Sequence, residues 1–505
     1  MIAFPVPERC ARLGGKGWAD APGGYDAVVV GGGIYGAMVA LEAARRGLRP
    51  LLLERDDFGQ HTSWNSLRIL HGGLRYLQSM DLSRSRQSAQ ERQWFLRSFP
   101  DLCQPLPCLM PLYGEGMKRP GIFRIALRMN DLISTGLGSS LPRGRVLSAA
   151  QTVEMFPAVR RQGLRGAALW YDGTMPDSQR VIIETLRWAT HLGARCINHV
   201  EVTGLLRGAR GTIEGVRALD RRSGAEVEVR APYVLNCAGP WARRLLEGIR
   251  QDQADLFRPA LAFNLVINRQ APSTAAVAVS PAGGPTYFLT PWKGHMLAGT
   301  GHHPWTGPYP AEPGDIVPDA EQVDRFLADL NRAVPGMDLD RSDVRGCMAG
   351  LLPAAQPGQA EPSRRPIVLD HGQHGGPKGL VSVSGVKFTT ARLVAEQAVR
   401  TAFGARADRV LPRAQAERPA PTPVLPASAF VQTLRDDPML ARRELLRLMR
   451  DEAVWTLDDL LIRRTDWASC PVNGRAARDG VIALAERDPM LAGLAPRVRV
   501  DRATA

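Results

Sequence analysis

YDAVVVGGGIYGAMVALEAARRGLRPLLLE, residues 25–54, is the stretch from which the fold of this chain is predicted. Residues 25–30 form a short run rich in β-branched side chains, which is typical of a buried strand. Residues 34–46 carry apolar side chains at helical spacing, and residues 51–53 form a second apolar run. Strand, helix and strand in this order predict a βαβ unit of a parallel sheet.

Three glycines and the acid that follows the second apolar run indicate that this unit binds a ligand. Gly31, Gly33 and Gly36 have the G-x-G-x-x-G spacing, which permits a tight turn, close approach of backbone to a pyrophosphate, and close helix–strand packing. The helix N-terminus then offers N–H groups and a partial positive charge to the anion. Glu54 is placed to accept hydrogen bonds from a ribose diol and would repel a 2′-phosphate. The motif therefore predicts FAD or NAD as ligand, and not NADP.

Composition limits the class of protein. At 505 residues the chain is long enough for roughly two or three domains. Its net charge of +14 favours anionic partners, although the basic residues are spread and also suit a solvated basic face. Seven cysteines without metal-ligand spacing predict free thiols in a reducing cytoplasm and no metal site. No segment reads as a membrane span, so we expect any membrane contact to be peripheral.

The middle of the chain predicts a second sheet. Residues 255–355 contain short apolar runs separated by Pro and Gly, with one helical stretch at 321–334, which favours a mostly antiparallel sheet with a substrate site. Residues 100–165 read as irregular and Pro-rich, with one amphipathic stretch at 122–133, and we interpret them as an insertion in a substrate cap.

The C-terminal part reads as helical, and a Pro- and Ala-rich linker precedes it. Thr456 and Asp459 have the spacing of a capping box. We predict a flexible lead at 1–24, a discontinuous dinucleotide-binding domain at 25–99, 166–250 and 360–404, a substrate or cap domain at 100–165 and 251–359, a linker at 405–427, and a helical domain at 428–505.

Polar loops after predicted strands are candidates for the ligand site. Short hydrogen-bonding side chains at 62–66 precede His71-Gly72-Gly73, whose glycines let backbone approach something flat or bulky. The alternative is a polar loop before a helix. The turns at 238–241 and 384–385 also follow strands, and a helix from about Thr389 offers a second anion or carbonyl site.

Five segments together resemble the FAD-dependent glycerol-3-phosphate dehydrogenases, which belong to the D-amino-acid-oxidase-like flavoproteins. They are YDAVVVGGGIYGA at 25–37, TSWNSLRILHGGLRYL at 62–77, VLNCAGPWA at 234–242, VSGVKFTTAR at 383–392 and MRDEAVWTLDDLLIRRT at 449–465. The resemblance implies an α/β fold: a Rossmann-like FAD-binding domain, an antiparallel-sheet substrate domain and an all-helical C-terminal domain.

The same resemblance implies the activity and its partners. It implies noncovalent FAD, oxidation of a secondary hydroxyl of a small molecule, and delivery of electrons to quinone at a membrane surface or to another acceptor. We expect a cytoplasmic protein, peripheral on the inner face of the cell membrane if it meets quinone there, with no nucleic-acid partner. The electron acceptor and formation of a homodimer stay open.

Site residues are carried over from the matching motifs. The implied catalytic residues are His71, Arg75 and Lys387, and the implied substrate contacts are Arg75, Tyr76, His302, Leu352 and Lys387. The implied FAD contacts are Gly31, Gly33, Ile34, Gly36, Glu54, Arg55, Thr62, Ser63, Ser66, His71, Gly72, Gly73, Leu74, Val202, Ala238, Gly239, Gly385, Lys387 and Thr389. The alternatives are a surface charge for Arg75, a solvated lysine for Lys387 and a structural histidine for His71.

Two departures from the family pattern concern the substrate. Leu352 stands where the family's A/S-G-x-R-P segment has an arginine that helps hold the substrate phosphate, and His302 stands where its G-T-T-D segment has an acid. Leucine cannot donate to a dianion. Three hypotheses remain: a glycerol-3-phosphate dehydrogenase, a paralogue that oxidises another hydroxyl or amine substrate, and a flavin-bearing binding protein without turnover.

Overall fold

The computed structural model describes residues 13–14, 17–19, 23–78, 80–114, 119–139, 141–208, 211–249, 251–309, 312–412 and 414–495. Its strands are β1 Ala27–Val30, β2 Pro50–Leu53, β3 Ile69–Leu70, β4 Gln104–Leu112, β5 Arg145–Leu147, β6 Gly166–Thr174, β7 Arg195–Ile197, β8 Val200–Arg207, β9 Ile213–Asp220, β10 Ala225–Arg230, β11 Val234–Asn236, β12 Pro259–Ile267, β13 Ala276–Val279, β14 Tyr287–Trp292, β15 His295–Pro304, β16 Val344–Pro353, β17 Ile367–Asp370 and β18 Leu380–Ser384. Its α-helices are α1 Ile34–Ala44, α2 Leu74–Gln78, α3 Leu82–Ser98, α4 Pro120–Gly136, α5 Ala149–Met155, α6 Ser178–His191, α7 Arg244–Glu247, α8 Ala320–Ala333, α9 Ala391–Phe403, α10 Ala427–Asp436, α11 Pro438–Asp451 and α12 Gly474–Ala485.

The predicted βαβ unit lies at the centre of a six-stranded sheet, in the order β17-β18-β11-β1-β2-β7. Its strands pair in parallel except at the β17–β18 edge. Because successive side chains of a strand point to opposite faces, Val29 packs in the cluster formed with α1, α6 and α9. Val28 and Val30 pack on the other face, against the three-stranded sheet β10-β9-β8. Burial on both faces explains the continuous apolar run of β1.

A nine-stranded sheet, in the order β16-β12-β15-β14-β13-β4-β6-β3 with β5 beside β6, confirms the predicted second sheet. Its pairings are antiparallel apart from β13 with β4. The predicted helix at 321–334 is α8, Ala320–Ala333. The Rossmann-like sheet, this second sheet and the helices after residue 426 confirm the predicted fold class.

The prediction that residues 100–165 are irregular apart from one amphipathic stretch was wrong, because they also contain β4, β5 and α5. The amphipathic stretch at 122–133 is confirmed as part of α4. The prolines of β4 misled the interpretation. Pro105, Pro107 and Pro111 are an even number of residues apart, so their missing N–H groups lie on one edge of the strand. On its β13 side β4 pairs only at Cys108 and Leu109, whereas it pairs along its whole length with β6.

The C-terminal helices pack around their own apolar core, in which the rings of Phe430 and Trp467 lie 4.3 Å apart. Thr456 and Asp459 form the predicted capping box: each backbone N–H donates to the other side chain, at 3.0 and 3.1 Å. The box begins a π-helix at Asp459–Arg464.

Buried ion pairs join these helices to the six-stranded sheet region, and two of them are bidentate. Arg464 donates twice to the Asp57 carboxylate, both at 2.7 Å, and Arg180 of α6 donates twice to Glu452, at 2.6 and 3.0 Å. Bidentate pairs of this kind fix orientation as well as distance.

Among the residues that the structure describes, none of the helices combines the length and the apolar composition that a membrane span requires.

The Asp57 pair gives a stability prediction. Asp57→Asn leaves the buried guanidinium of Arg464 without its countercharge, and we expect a loss of about 3–5 kcal/mol in the free energy of unfolding. Urea denaturation followed by tryptophan fluorescence measures this loss. The control is Asp255→Asn, which removes an exposed pair with Arg258 and should cost less than about 1 kcal/mol. Equal losses in the two variants would contradict the structural role given to Asp57.

Candidate functional site

One cavity of about 1610 Å³ is bordered by both large sheets. Its wall includes Val30 of β1 and Leu53 of β2 from the six-stranded sheet. Ala262 of β12, Thr300 of β15 and Leu352 of β16 contribute from the nine-stranded sheet. The cavity therefore lies where a dinucleotide bound at the carboxyl ends of β1 and β2 would also meet the second sheet.

The glycine turn leaves no room for side chains. Gly31 has a left-handed φ of +99°, and a Cβ there would lie 2.7 Å from the carbonyl oxygen of Cys237. A Cβ at Gly36 would lie 1.9 Å from the Gly31 carbonyl oxygen. At the start of α1, the backbone N–H of Ile34 donates to Ser63 Oγ at 3.0 Å. The polar loop predicted from the sequence is thus attached to the helix N-terminus.

Glu54 lies at the end of β2, almost fully buried in the cavity wall. Its carboxylate accepts from the backbone N–H of Gly32 at 2.6 Å and of Asp56 at 2.8 Å. Burial raises the pKa of Glu54, and these two bonds oppose that rise. A carboxylate has about four lone-pair sites, so two remain for other donors. This geometry fits the predicted ribose contact.

Tyr35 joins the glycine turn to the 384–389 segment and was missed in the sequence. Its hydroxyl donates to the Lys387 carbonyl at 2.8 Å and accepts from the Lys387 N–H at 3.0 Å. A Cβ at Gly385 would lie 1.8 Å from the Tyr35 ring, so this close approach requires glycine. The aromatic residue inside the glycine motif was the available signal.

The predicted substrate residues Tyr76 and Lys387 are brought together, although they are far apart in the chain. Lys387 Nζ lies 4.2 Å from the centre of the Tyr76 ring, a cation–π distance. The ring of His71 lies 5.4 Å from that of Phe288. His71 Nδ1 lies 3.4 Å from the carboxylate of Asp172, a buried residue that sequence reasoning also missed. The sequence did contain a signal for Asp172, which is an acid at the end of the apolar run 166–172.

The two departures from the family pattern lie close together on the second sheet. His302 of β15 is opposite Ala262 of β12, and Leu352 of β16 is opposite Ala260 of the same strand. Both side chains border the cavity. The residues expected to set the substrate therefore share one wall with the rest of the site.

Most residues predicted from the sequence border this cavity. Those that do are Gly31, Gly33, Ile34, Glu54, Arg55, Thr62, Ser63, Ser66, His71, Gly73, Leu74, Tyr76, Val202, Ala238, Gly239, His302, Leu352, Gly385, Lys387 and Thr389. Gly36 and Gly72 pack behind the wall, where Gly36 contacts the Gly31 backbone and Gly72 donates to Asp172. The backbone of Arg75 lies in α2, and its side chain lies outside the described part of the chain.

Comparison with known proteins places the chain among flavoenzymes. The family described as FAD dependent oxidoreductase matches residues 26–401. A glycerol-3-phosphate dehydrogenase of Synechocystis sp. is 32% identical over 394 residues, which cover 75% of this chain and 70% of the relative. Glycerol-3-phosphate dehydrogenase 1 of Mycobacterium tuberculosis is 33% identical over 396 residues, which cover 76% of this chain and 74% of the relative.

A solved structure has the same fold. The glycerol-3-phosphate dehydrogenase from Bacillus halodurans complexed with FAD has a TM-score of 0.68 and 22% identity, and the match covers 93% of this chain and 91% of that one. At this identity the likeness shows the fold alone.

The contact between Gly385 and Tyr35 gives a binding prediction. Gly385→Ala should displace the Tyr35 ring and distort the wall, at a cost of about 1–3 kcal/mol. We therefore expect dinucleotide binding to weaken about 5- to 150-fold, measured by calorimetric titration of ligand-free protein. Gly121→Ala is the control, because its added methyl group meets open space on α4. Unchanged binding in Gly385→Ala would show that the Tyr35 contact does not shape the site.

Proposed function

This chain belongs to the family of FAD-dependent oxidoreductases, and from that membership we propose that it oxidises glycerol 3-phosphate to dihydroxyacetone phosphate. The observation that carries the proposal is the shared cavity. The glycine turn and Glu54 border the same space as His71, Tyr76 and Lys387. A dinucleotide site and a set of acid–base and cationic side chains thus meet in one place, as an oxidation of a bound alcohol requires.

The residues present fit FAD. The backbones at Gly31 and Gly33 border the cavity directly, where side chains would occupy space needed by the ligand, and a Cβ at Gly33 would also lie 3.1 Å from Ser63 Oγ. The N-terminus of α1 suits the pyrophosphate, and Glu54 retains acceptor sites for a ribose. When bound, FAD supplies the acceptor for the hydride that leaves the substrate carbon.

The side chains of the chain supply positioning and proton transfer. Lys387 carries the positive charge at the Tyr76 ring and is our candidate for holding the anionic end of the substrate. His71 is our candidate base, because an imidazole accepts a proton near neutral pH. Arg75, from the same HGGLRYL motif, is the third candidate, as the family resemblance implies.

A second candidate function is oxidation of a different hydroxyl or amine substrate. The observation that favours it is the place of Leu352 and His302 on the cavity wall. Leu352 makes that wall more apolar than the family's arginine would, and it removes a donor to phosphate. The two candidates share the flavin and differ in what the second sheet recognises.

We further propose that quinone or another acceptor takes the electrons and that the protein makes peripheral contact with anionic membrane. The net charge of +14 supports attraction to such a surface. Electrostatic binding of this kind weakens as salt is added, because the screening length falls to about 8 Å at physiological ionic strength.

The first prediction of this function concerns the cofactor. We expect the purified protein to be yellow and to hold FAD without a covalent bond. Acid precipitation should release the flavin into the supernatant, where its fluorescence and mass identify FAD. Flavin that stays with the denatured pellet would contradict the noncovalent part.

The second prediction concerns Leu352. A charge-assisted hydrogen bond contributes about 1.5–3 kcal/mol, so Leu352→Arg should raise kcat/KM for glycerol 3-phosphate by about 10- to 150-fold. Steady-state kinetics with an artificial acceptor dye measure the change. Leu352→Met is the matched control, because it fills similar volume without charge and should leave kcat/KM nearly unchanged.

The outcomes separate the two candidates. High wild-type activity on glycerol 3-phosphate without improvement in Leu352→Arg would show that the phosphate is held elsewhere, and the second candidate would fall. Low wild-type activity, with higher activity on another hydroxyl or amine substrate, would overturn the first candidate.

A further inference from the structure

Asp172 receives hydrogen bonds from three sides of the site. This buried carboxylate accepts from the backbone N–H of Gly72 at 2.7 Å, from Arg92 Nη1 at 3.0 Å and from Trp170 Nε1 at 3.2 Å. Its fourth neighbour is His71, whose Nδ1 lies 3.4 Å from Oδ2. Both Asp172 and His71 border the cavity. The carboxylate thus lies directly behind the candidate base.

We propose that Asp172 is a positioning residue that holds His71 as the Nδ1–H tautomer, with Nε2 as the atom that takes the substrate proton. This proposal rests on the proposed function, in which His71 is the base, and it identifies the residue that orients that base. His71 is about half exposed to the cavity (48%), and its Nε2 makes no hydrogen bond within the described part of the chain.

The charge of Asp172 determines which nitrogen of His71 carries the proton. Burial alone would raise the pKa of Asp172, but the hydrogen bond from His71 and the charge of Arg92 lower it to about 2. At neutral pH the group is therefore an ionised carboxylate, which only accepts hydrogen bonds. A neutral imidazole that donates to it through Nδ1 must keep its lone pair on Nε2.

The surroundings hold this carboxylate in place. Arg92 also donates to the Tyr171 carbonyl and to Ser134 Oγ, both at 3.0 Å, so its guanidinium is fixed on both sides. A Cβ at Gly72 would lie 1.8 Å from Arg92 Nη1, so the first glycine of His71-Gly72-Gly73 is required by this pair. The histidine, the glycine turn and the buried acid act as one unit.

The substrate hydroxyl proton passes to His71 Nε2 as the O–H bond breaks and the C=O bond forms. FAD, when bound, would accept the carbon-bound hydrogen with its electron pair. The imidazolium that results lies beside the Asp172 carboxylate, which stabilises its charge. At 3.4 Å the contact between His71 Nδ1 and Asp172 Oδ2 is longer than a typical hydrogen bond, and the proposal requires it to shorten when substrate binds, as catalytic hydrogen bonds often do.

The direct test is the tautomer of His71, read by two-bond ¹H–¹⁵N NMR of the histidine rings in protein with and without FAD. The His71→Gln spectrum identifies the signals. We expect Nδ1 protonated and Nε2 unprotonated in the wild type, and a shift toward Nε2–H in Asp172→Asn. Glu91→Gln is the control, because it neutralises a different buried carboxylate, which lies on α3, pairs with Arg392 and does not contact His71. It should leave the His71 signals unchanged.

Kinetics give the second readout. We expect Asp172→Asn to lower kcat by about 10- to 100-fold, the size of effect seen for partners that orient metal-bound histidines, with KM changed less than about threefold. His71→Gln should cost about 10²- to 10⁴-fold. The double variant should be no slower than His71→Gln alone, because Asp172 acts through His71.

Contrary results separate this proposal from the proposed function. An Nε2–H tautomer in the wild type, or losses that multiply in the double variant, would overturn the role of Asp172. The wild-type spectrum decides this even if Asp172→Asn does not fold. Absence of activity on polyol phosphates with the expected tautomer would instead count against the proposed substrate.

Discussion

The structure depends on a contact between backbones, where β1 turns into α1. A Cβ at Gly36 would overlap the carbonyl oxygen of Gly31, and a Cβ at Gly31 would overlap the carbonyl oxygen of Cys237. Helix and strands therefore meet at distances that only glycine permits. This contact places the N-terminus of α1 beside the ends of β1 and β11, where the cavity begins. The anion-binding end of the site is therefore a consequence of packing in the sheet.

Long-range polar contacts place the other walls around that turn. Tyr35 connects it to the Lys387 backbone, and Ser63 connects the polar loop to the helix N-terminus. Behind the wall, Asp57 and Arg464 connect the six-stranded sheet to the C-terminal helices. The segment at 449–465, one of the five that carry the family resemblance, contributes to this buried ion-pair interface. These charged residues hold the C-terminal helices against the six-stranded sheet, whereas the candidate catalytic residues border the cavity.

The sequence predicted what depends on local pattern. The βαβ unit was recoverable because its apolar runs are continuous and its glycines mark the turn. The strand β4 was not, because three prolines normally argue against a strand, and only the sheet shows that they share its sparsely paired edge. Most candidate site residues came from motifs, whereas Tyr35 and Asp172 were missed because their roles appear only once distant segments meet. The roles given to the site residues stay predictions.

We propose that this cavity binds FAD beside glycerol 3-phosphate, so that hydride passes from the substrate carbon to the flavin. The most direct measurement is the visible absorbance of the bound flavin, recorded without oxygen while glycerol 3-phosphate is added, and then hydroxy acids and amino acids in turn. We expect glycerol 3-phosphate to bleach the flavin in proportion to the amount added. A flavin that stays oxidised with glycerol 3-phosphate but is bleached by another compound of the series would contradict it.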